Sequence, residues 1–306
     1  MLNNFAQQRK EHSGAQKISI FAISFLKMQT NKNELFTMQN IKKILVIIPV
    51  FPGTNCDYDT ARAFEEAGAD AQIFVFRNLN ETEINNSIKE LASWIQKANI
   101  LALSGGFSSG DEPDGSGKFI ANVLNNNLIK TSVLDLLSRN GLILGICNGF
   151  QALVKSGLLP FAKMGEVTQN SPTLFRNDCN RHVSQITKTV VSSTNSPWLT
   201  SFKIGEIHHV AISHGEGKFV VSDKIAKQLF ENQQVAFQYC DFDGNPSMDP
   251  KHNPNGSHFA IEGIISPCGK ILGKMGHSER KGENLYKNIY GNTTQDIFAN
   301  AVQFFL

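Results

Sequence analysis

The sequence predicts an α/β protein with a doubly wound, mostly parallel sheet that is flanked by helices and has added strands in its second half. Two observations lead to this fold class. Near-continuous branched apolar runs, such as KILVIIPV at 43–50, are typical of strands that are buried on both faces. Segments with helical spacing of apolar residues separate these runs, and this alternation favours parallel strands.

The elements of the first half follow from spacing and end signals. After the strand at 43–50, a helix is predicted over 59–68, with Asp59 as its cap and Gly68 as its end. Apolar residues spaced four, three and four apart predict a helix over 82–97. The remaining elements predicted in this half are strands at 71–76, 100–103 and 141–146 and helices at 119–139 and 148–157.

The second half is richer in strands, and the first forty residues do not conform to either half. Strands are predicted at 185–192, 210–213, 235–239 and 259–266. The apolar run ISIFAISFL at 18–26 imitates a secretory signal but lacks a small-residue cleavage site, and Met28 and Met38 are alternative starts. We expect residues 1–40 to be a disordered extension without a role and residues 41–306 to form the functional domain.

The composition excludes several classes of protein. Lys and Arg number 29 against 27 Asp and Glu, a net charge of +2, which disfavours a nucleic-acid binder with a basic face. No stretch of 18 apolar residues is present, so no membrane span is expected. The 5 cysteines include no C-x-x-C pair, so we expect a cytoplasmic protein without a disulfide framework or zinc ribbon.

The strongest chemical motif is Gly145-Ile146-Cys147-Asn148-Gly149, which has the form of a nucleophile elbow. It lies between a predicted buried strand and a predicted helix, as that motif requires. Its glycines permit a sharp turn, and the helix N-terminus favours a thiolate and offers N–H groups to an oxyanion. A small buried cysteine at a tight junction is the alternative.

A nucleophilic thiol needs a base, and His277 is the first choice among the eight histidines. It lies in Gly276-His277-Ser278-Glu279-Arg280, where Glu279 is two residues away and points the same way on an extended segment. A carboxylate in that place can orient the imidazole and stabilise its charged form. An isolated H-x-E of this kind is also typical of a solvated loop. His214, in a glycine-rich loop, is the second choice.

Gly105-Gly106-Phe107-Ser108 ends the third predicted strand, at the edge where ligands of doubly wound sheets bind. Two glycines there would let backbone N–H groups approach an oxyanion, although an ordinary turn is an equal alternative. Two other motifs fail. GSGK at 115–118 lacks the remaining phosphate-loop residues, and DFDGN at 241–245 lacks the downstream ligands of a calcium loop, so a turn is expected there.

The order Cys147, His277, Glu279 resembles the class I (triad) glutamine amidotransferases, which have a flavodoxin-like fold. Within them, the chain is similar to the glutaminase domain of phosphoribosylformylglycinamidine synthase, from about Ile41 to the C-terminus. The segments that carry the similarity are FPGTNCD at 51–57, GGFSSGD at 105–111, GICNGFQ at 145–151, HGEG at 214–217 and NPNGS at 253–257. One departure is Gly276-His277-Ser278, where the family usually has Pro-His-Pro, and loop rigidity is expected to differ.

The resemblance implies a role for each site residue. Cys147 attacks the side-chain amide of glutamine and forms a γ-glutamyl thioester, His277 relays protons, and Glu279 orients His277. Backbone N–H groups near Gly106–Phe107 and at Asn148 stabilise the oxyanion. Gln151 holds the backbone groups of glutamine. The remaining residues expected in the substrate pocket are Gly105, Ser213, His214 and Gly215.

The resemblance also implies a partner. Ammonia is mostly protonated in neutral water, so it should pass through a tunnel to a synthetase that uses ATP and Mg²⁺. No cofactor is expected in this chain, and its glutaminase should be weak without that partner. The insertion at 112–118 looks like that of long, single-chain forms, which implies a detached C-terminal domain rather than a free small subunit.

Two other functions stay open on the residues alone. One is a different cysteine hydrolase on the same fold, acting on peptides or γ-glutamyl compounds. The other is a catalytically silent subunit that only binds and stabilises a synthetase.

Overall fold

The computed structural model describes residues 43–108 and 115–306. The extension predicted for residues 1–40 lies outside the described residues, as do the last residues of the GGFSSGD motif and part of the 112–118 insertion. No helix in the described part is long and apolar enough to cross a membrane.

Nine of the strands in these ranges form one sheet, and two short strands pair separately. The order across the large sheet is β2-β1-β3-β4-β11-β10-β9-β6-β7, and β5 pairs with β8. The bounds in chain order are β1 Leu45–Val50, β2 Asp70–Val75, β3 Ile100–Leu103, β4 Leu142–Ile146, β5 Thr173–Phe175, β6 Val183–Val191, β7 Ile207–His214, β8 Lys218–Val220, β9 Val235–Tyr239, β10 Ile261–Ile265 and β11 Ile271–Lys274.

Helices connect and flank these strands. Asn80 and Asn126 cap two of them, because their side chains accept hydrogen bonds from the N–H groups of Glu83 and Leu128, each at 3.0 Å. The helices are α1 Asp57–Glu66, α2 Glu81–Lys97, α3 Lys118–Leu124, α4 Asn127–Ser138, α5 Asn148–Lys155, α6 Asp223–Glu231 and α7 Ile297–Gln303.

The parallel half of the sheet consists of β2, β1, β3, β4 and β11, and the other four strands are antiparallel. This confirms the predicted fold class and its added strands. Strands β3, β4 and β11 are neighbours with every residue buried. In register, Gly145 faces Leu103 and Ile146 faces Lys274. The segments that follow these three strands therefore meet at one edge of the sheet.

Some predicted elements differ from the structure. The single helix over 119–139 is wrong, because Asn125 and Asn126 interrupt it and Asn126 begins α4 as its cap. Helix α1 begins at Asp57, so Asp59 is not its cap and instead pairs with Arg62 at 2.8 Å. Strand β11 is not among the strands that the sequence predicts.

Candidate active site

Cys147 occupies the sharp turn between β4 and α5 that the elbow motif predicts. Its backbone has φ 52° and ψ −106°, a conformation that side chains other than glycine rarely adopt. The flanking glycines are required by space: a Cβ at Gly145 would lie 2.7 Å from Gly149 O, and one at Gly149 would lie 2.0 Å from Leu103 O. The turn thus places the thiol at the carboxyl edge of the sheet and at the start of a helix.

His277 lies beside Cys147 because β11 is the parallel neighbour of β4. A Cβ built on Gly105 would be 2.8 Å from His277 Cε1 and 3.4 Å from Cys147 Cβ, so this glycine leaves the space that both side chains share. The N–H of His277 donates to Ala211 O in β7 at 2.8 Å. The structure therefore brings together the two residues that the sequence places 130 positions apart.

Glu279 accepts a hydrogen bond from the imidazole, with 2.5 Å between His277 Nδ1 and Glu279 Oε1. Both side chains are almost fully buried. Burial alone would lower the pKa of His277, but the charge of Glu279 and the thiols of Cys147 and Cys56 raise it well above its ordinary value. Burial would raise the pKa of Glu279, but the charge of His277 lowers it. The pair thus favours an imidazolium next to a carboxylate.

The second nitrogen of the imidazole, Nε2, is available for proton transfer. His277 Nε2 is buried and has no hydrogen-bond partner among the described residues. Since Nδ1 is held by Glu279, a proton can be exchanged at Nε2 while the ring keeps its orientation. An imidazolium in this place stabilises a thiolate, which is the nucleophilic form of cysteine.

Cys56 is a second thiol at the site, to which the sequence analysis gave no role. Its Sγ lies 3.8 Å from His277 Nδ1, and Arg280 Nη2 donates to the same sulfur at 3.4 Å. A Cβ on Gly105 would also lie 3.2 Å from this sulfur. The sequence marks the FPGTNCD motif, which contains Cys56, only as a family segment, because no spacing along the chain links it to His277.

Cys56, His277 and Glu279 are also a group of potential metal ligands, with their ligand atoms within 4.8 Å of one another. The contact between His277 Nδ1 and Glu279 Oε1, at 2.5 Å, is the distance of a hydrogen bond. Two ligands of a tetrahedral zinc ion lie about 3 Å apart or more, given the usual bond lengths. A shared proton therefore accounts for this contact, and the group does not fit a metal in this arrangement.

The backbone at Gly106–Phe107 is partly engaged within the protein. The N–H of Phe107 donates to Gly53 O at 2.9 Å, so it is not directed at an oxyanion, contrary to the expectation for this segment. Gly53 makes this contact possible, because any Cβ there would collide with Phe107 O. The oxyanion roles of Gly106 and Asn148 stay predictions.

A small pocket opens beside the nucleophile. Gln151 lies on its wall, with its amide donating to Glu216 O and accepting from Asn148 Nδ2 at 3.0 Å. Asn148 thus supports Gln151. Glu216 was not predicted, and its Oε2 accepts from the N–H of Ser116 at 3.3 Å. The described residues that line this pocket are Gly106, Phe107, Ser116, Cys147, Gln151, Ser213, His214, Gly215 and Glu216.

His214, the second choice as base, lies on the pocket wall but lacks a carboxylate partner in the contacts of its ring. Burial and the charges of His277 and His182 lower the pKa of His214 to about 3, so the ring is neutral at physiological pH. Its Nδ1 lies 3.2 Å from Asn177 Oδ1, which also accepts from the N–H of Gly217. These contacts make His214 a part of the pocket wall and favour His277 as the base.

Two other motifs have structural roles. In the NPNGS segment, Asn255 Nδ2 donates to Gly217 O at 2.8 Å and supports the glycine-rich loop of the pocket. The expected turn at DFDGN is confirmed, because Asp241 Oδ1 accepts from the N–H groups of Asp243 and Asn245, each at 2.9 Å.

Comparisons with known proteins place the chain in a family. The model of the CobB/CobQ-like glutamine amidotransferase domain matches residues 43–305. The phosphoribosylformylglycinamidine synthase subunit PurQ of Methanococcus maripaludis strain C7 is 34% identical over 287 residues, which cover 87% of this chain and 98% of that protein. The PurQ subunit of Moorella thermoacetica is 32% identical over 255 residues, covering 83% and 93%.

A solved structure of PurLQS from Thermotoga maritima shares the fold, with a TM-score of 0.61 at 24% identity. The match covers 86% of this chain and 100% of that one. The family model and these relatives show that this chain belongs to the PurQ family of glutamine amidotransferases.

Proposed function

We propose that this chain is the glutaminase component of a phosphoribosylformylglycinamidine synthase and supplies ammonia to a synthetase partner. The observation that carries the proposal is the position of Cys147 beside the buried His277–Glu279 pair, at the ends of neighbouring parallel strands. The names of the relatives supply the reaction to which the ammonia goes.

The first half of the reaction forms a thioester. The Cys147 thiolate attacks the side-chain carbonyl carbon of glutamine, and the carbonyl oxygen takes the negative charge. N–H groups of Gly106 and Asn148 are our candidates for stabilising that charge. The C–N bond then breaks, and the imidazolium of His277 gives its proton from Nε2 to the leaving amine, so that ammonia departs neutral.

The second half releases glutamate. His277, now neutral, takes a proton from water, whose oxygen attacks the thioester carbonyl carbon. The carbon–sulfur bond breaks, which restores the Cys147 thiolate beside an imidazolium. Glu279 keeps the ring in one orientation through both halves, because its bond to Nδ1 does not need to change.

One wall of the pocket carries a charge opposite to that of the α-ammonium group of glutamine. Glutamine carries an α-ammonium group, and Glu216 is a buried carboxylate on the wall that Cys147 shares. A charge-assisted hydrogen bond between them would hold the substrate with its side-chain amide toward the thiol. Gln151 and the loop of Ser213, His214 and Gly215 complete the proposed substrate site.

The partner and its cofactors follow from the chemistry of ammonia. Released into water, ammonia would be protonated and unreactive, so we propose transfer through a tunnel to the partner, where ATP and Mg²⁺ activate the acceptor amide. The five cysteines lie in the described part and are free thiols. Free thiols without a disulfide are typical of proteins in a reducing compartment, which supports a location in the cytoplasm.

The test is active-site labelling of the whole chain. A diazo-oxo analogue of glutamine should alkylate Cys147, as located by mass spectrometry, and Cys147→Ala should abolish both labelling and glutamine hydrolysis. Cys240→Ala is the matched control, because Cys240 is also buried and lies outside the described pocket lining. Labelling unaffected by Cys147→Ala would overturn the proposal.

The complex with its synthetase separates the remaining functions. His277→Ala should lower the rate of glutamine-dependent amidine synthesis about a hundredfold or more and leave the rate of ammonia-dependent synthesis unchanged. Loss of both would contradict the transfer of ammonia. Hydrolysis of peptides but not glutamine would indicate another cysteine hydrolase. Normal binding of the synthetase without any labelling would indicate a silent subunit.

A further inference from the structure

Gly276, the residue that directly precedes His277, is held at both of its polar backbone groups by two side chains. Its N–H donates to Glu262 Oε1 at 2.5 Å, and its carbonyl oxygen accepts from Lys274 Nζ at 2.7 Å. Glu262 lies in β10 and Lys274 ends β11. The two side chains also form an ion pair at 3.2 Å and are both inaccessible to solvent.

The contacts around Gly276 leave no room for a side chain. A Cβ at this position would lie 2.7 Å from Glu262 Oε1 and 2.8 Å from Val210 Cγ2. A side chain would therefore push the carboxylate away from the N–H group. Glycine, however, is the residue with the freest backbone, so its conformation has to be restrained from outside.

The restraint acts on the base directly. His277 has its own N–H fixed on Ala211 O, and Met275 N–H donates to Glu262 O at 3.1 Å. The ion pair thus fixes the one residue between these two anchored positions. A shift of about 1 Å in a catalytic group can reduce a rate by about a hundredfold, so such a restraint has a functional consequence.

Stability alone does not account for the pair. Removing two charges from water is costly, and apolar replacements of a buried ion pair are often neutral or stabilising. Here Glu262 Oε2 is buried and lacks a hydrogen-bond partner among the described residues, which adds to that cost. The contacts that the pair makes with Gly276 are what apolar side chains would not reproduce.

We infer that Glu262 and Lys274 are positioning residues for the base: their buried ion pair fixes Gly276 and thereby the placement of His277 against Cys147 and Glu279. This inference rests on the proposed function, in which His277 moves the protons. Neither residue reaches the described pocket lining, so both act through the backbone.

Two double variants that both lack the charges test this inference in the full chain. Glu262→Leu with Lys274→Met removes both contacts to Gly276. Glu262→Gln with Lys274→Met keeps an acceptor for the Gly276 N–H. Both should fold, as melting and circular dichroism would show, since no uncompensated charge is left buried. We expect the first to lower kcat for glutamine hydrolysis about tenfold to a hundredfold with little change in KM, and the second to recover most of that loss.

Equal kcat in the wild type and in a folded Leu/Met variant would overturn the inference, as would equal losses in both variants. Should the Leu/Met variant not fold, Glu262→Met with Lys274→Met takes its place, because it also removes both contacts to Gly276 and stays close to the native side chains in volume. An unchanged kcat in that folded variant overturns the inference. Gln234→Leu is the control, because it removes buried contacts to Pro160 O and Ile265 O elsewhere. A wild type without glutaminase activity or labelling would instead refute the proposed function.

Discussion

His277 Nδ1 and Glu279 Oε1 lie 2.5 Å apart, and the solvent-exposed fractions of the two side chains are 1% and 0%. Without the carboxylate, burial would favour a neutral imidazole. With it, the pKa of His277 is raised well above the ordinary value. The contact with Glu279 therefore determines that His277 is protonated before glutamine binds.

Glu279→Gln should lower the pKa of His277, because burial would then outweigh the remaining favourable contacts. In the wild type the imidazolium persists through neutral pH and is lost as the pH rises through its raised pKa, so loss of the imidazolium should lower kcat/KM in the basic range. In the variant that basic limb should move to lower pH, and kcat at neutral pH should fall about a hundredfold or more. The pH dependence of glutamine hydrolysis measures both effects.

The control for Glu279→Gln is Glu206→Gln. Glu206 makes a similar contact with a buried histidine, His208, at 3.1 Å, but this pair is not among the contacts of Cys147. Glu206→Gln should leave the pH profile unchanged. A Glu279→Gln enzyme with the wild-type basic limb would show that the carboxylate does not control the imidazole.

Cys56→Ser should weaken the enzyme without abolishing its chemistry. A hydroxyl is smaller than a thiol and would loosen the contacts with His277 Nδ1 and Arg280. We expect kcat/KM to fall about threefold to tenfold, which is the effect of losing one weak hydrogen bond. Alkylation by the glutamine analogue should stay on Cys147. Complete inactivity of Cys56→Ser beside an active Cys240→Ser would mean that Cys56 takes part in the reaction itself.

Much of this site could be predicted from the sequence because its signals are local. The GICNG motif has a glycine two residues before and two residues after the thiol. Both are needed, because a Cβ at Gly145 or at Gly149 would collide with neighbouring backbone atoms. The H-x-E spacing predicted the contact between Glu279 and the imidazole, because residues two apart on an extended segment face the same side.

The contacts that sequence reasoning missed join distant segments. Cys56 and Arg280 meet only through the folding of β1 and β11 into one sheet, and Glu216 reaches the pocket from the loop after β7. The departure at Gly276 was visible and predicted a difference in loop rigidity. The restraint of Gly276 by Glu262 and Lys274 could not be predicted. Charged side chains are usually exposed, and nothing in the sequence marks these two as buried.

Gly105→Ala should test the space that the catalytic groups share. The added Cβ would lie 2.8 Å from His277 Cε1, closer than real Cβ atoms approach, so the ring has to shift from its place beside Cys147. We expect kcat to fall about tenfold to a hundredfold in a folded protein. Gly68→Asn is the control, since no atom lies within 4 Å of a Cβ there and asparagine tolerates its φ of 93°. An active Gly105→Ala enzyme would contradict the placement of the ring.

Glu216→Gln should change substrate recognition rather than chemistry. The carboxylate is buried on the pocket wall, and a charge-assisted hydrogen bond to an ammonium contributes about 1.5–3 kcal/mol, so KM for glutamine should rise about tenfold or more with kcat little changed. Glutaramate, which is glutamine without its α-amino group, provides the control substrate. The wild type should prefer glutamine over glutaramate, and the variant should lose most of that preference because its neutral amide cannot pair with the ammonium charge. A variant that keeps the full preference would place the α-amino group elsewhere in the pocket, and the Glu216 carboxylate would then have a structural role as the acceptor for the N–H of Ser116.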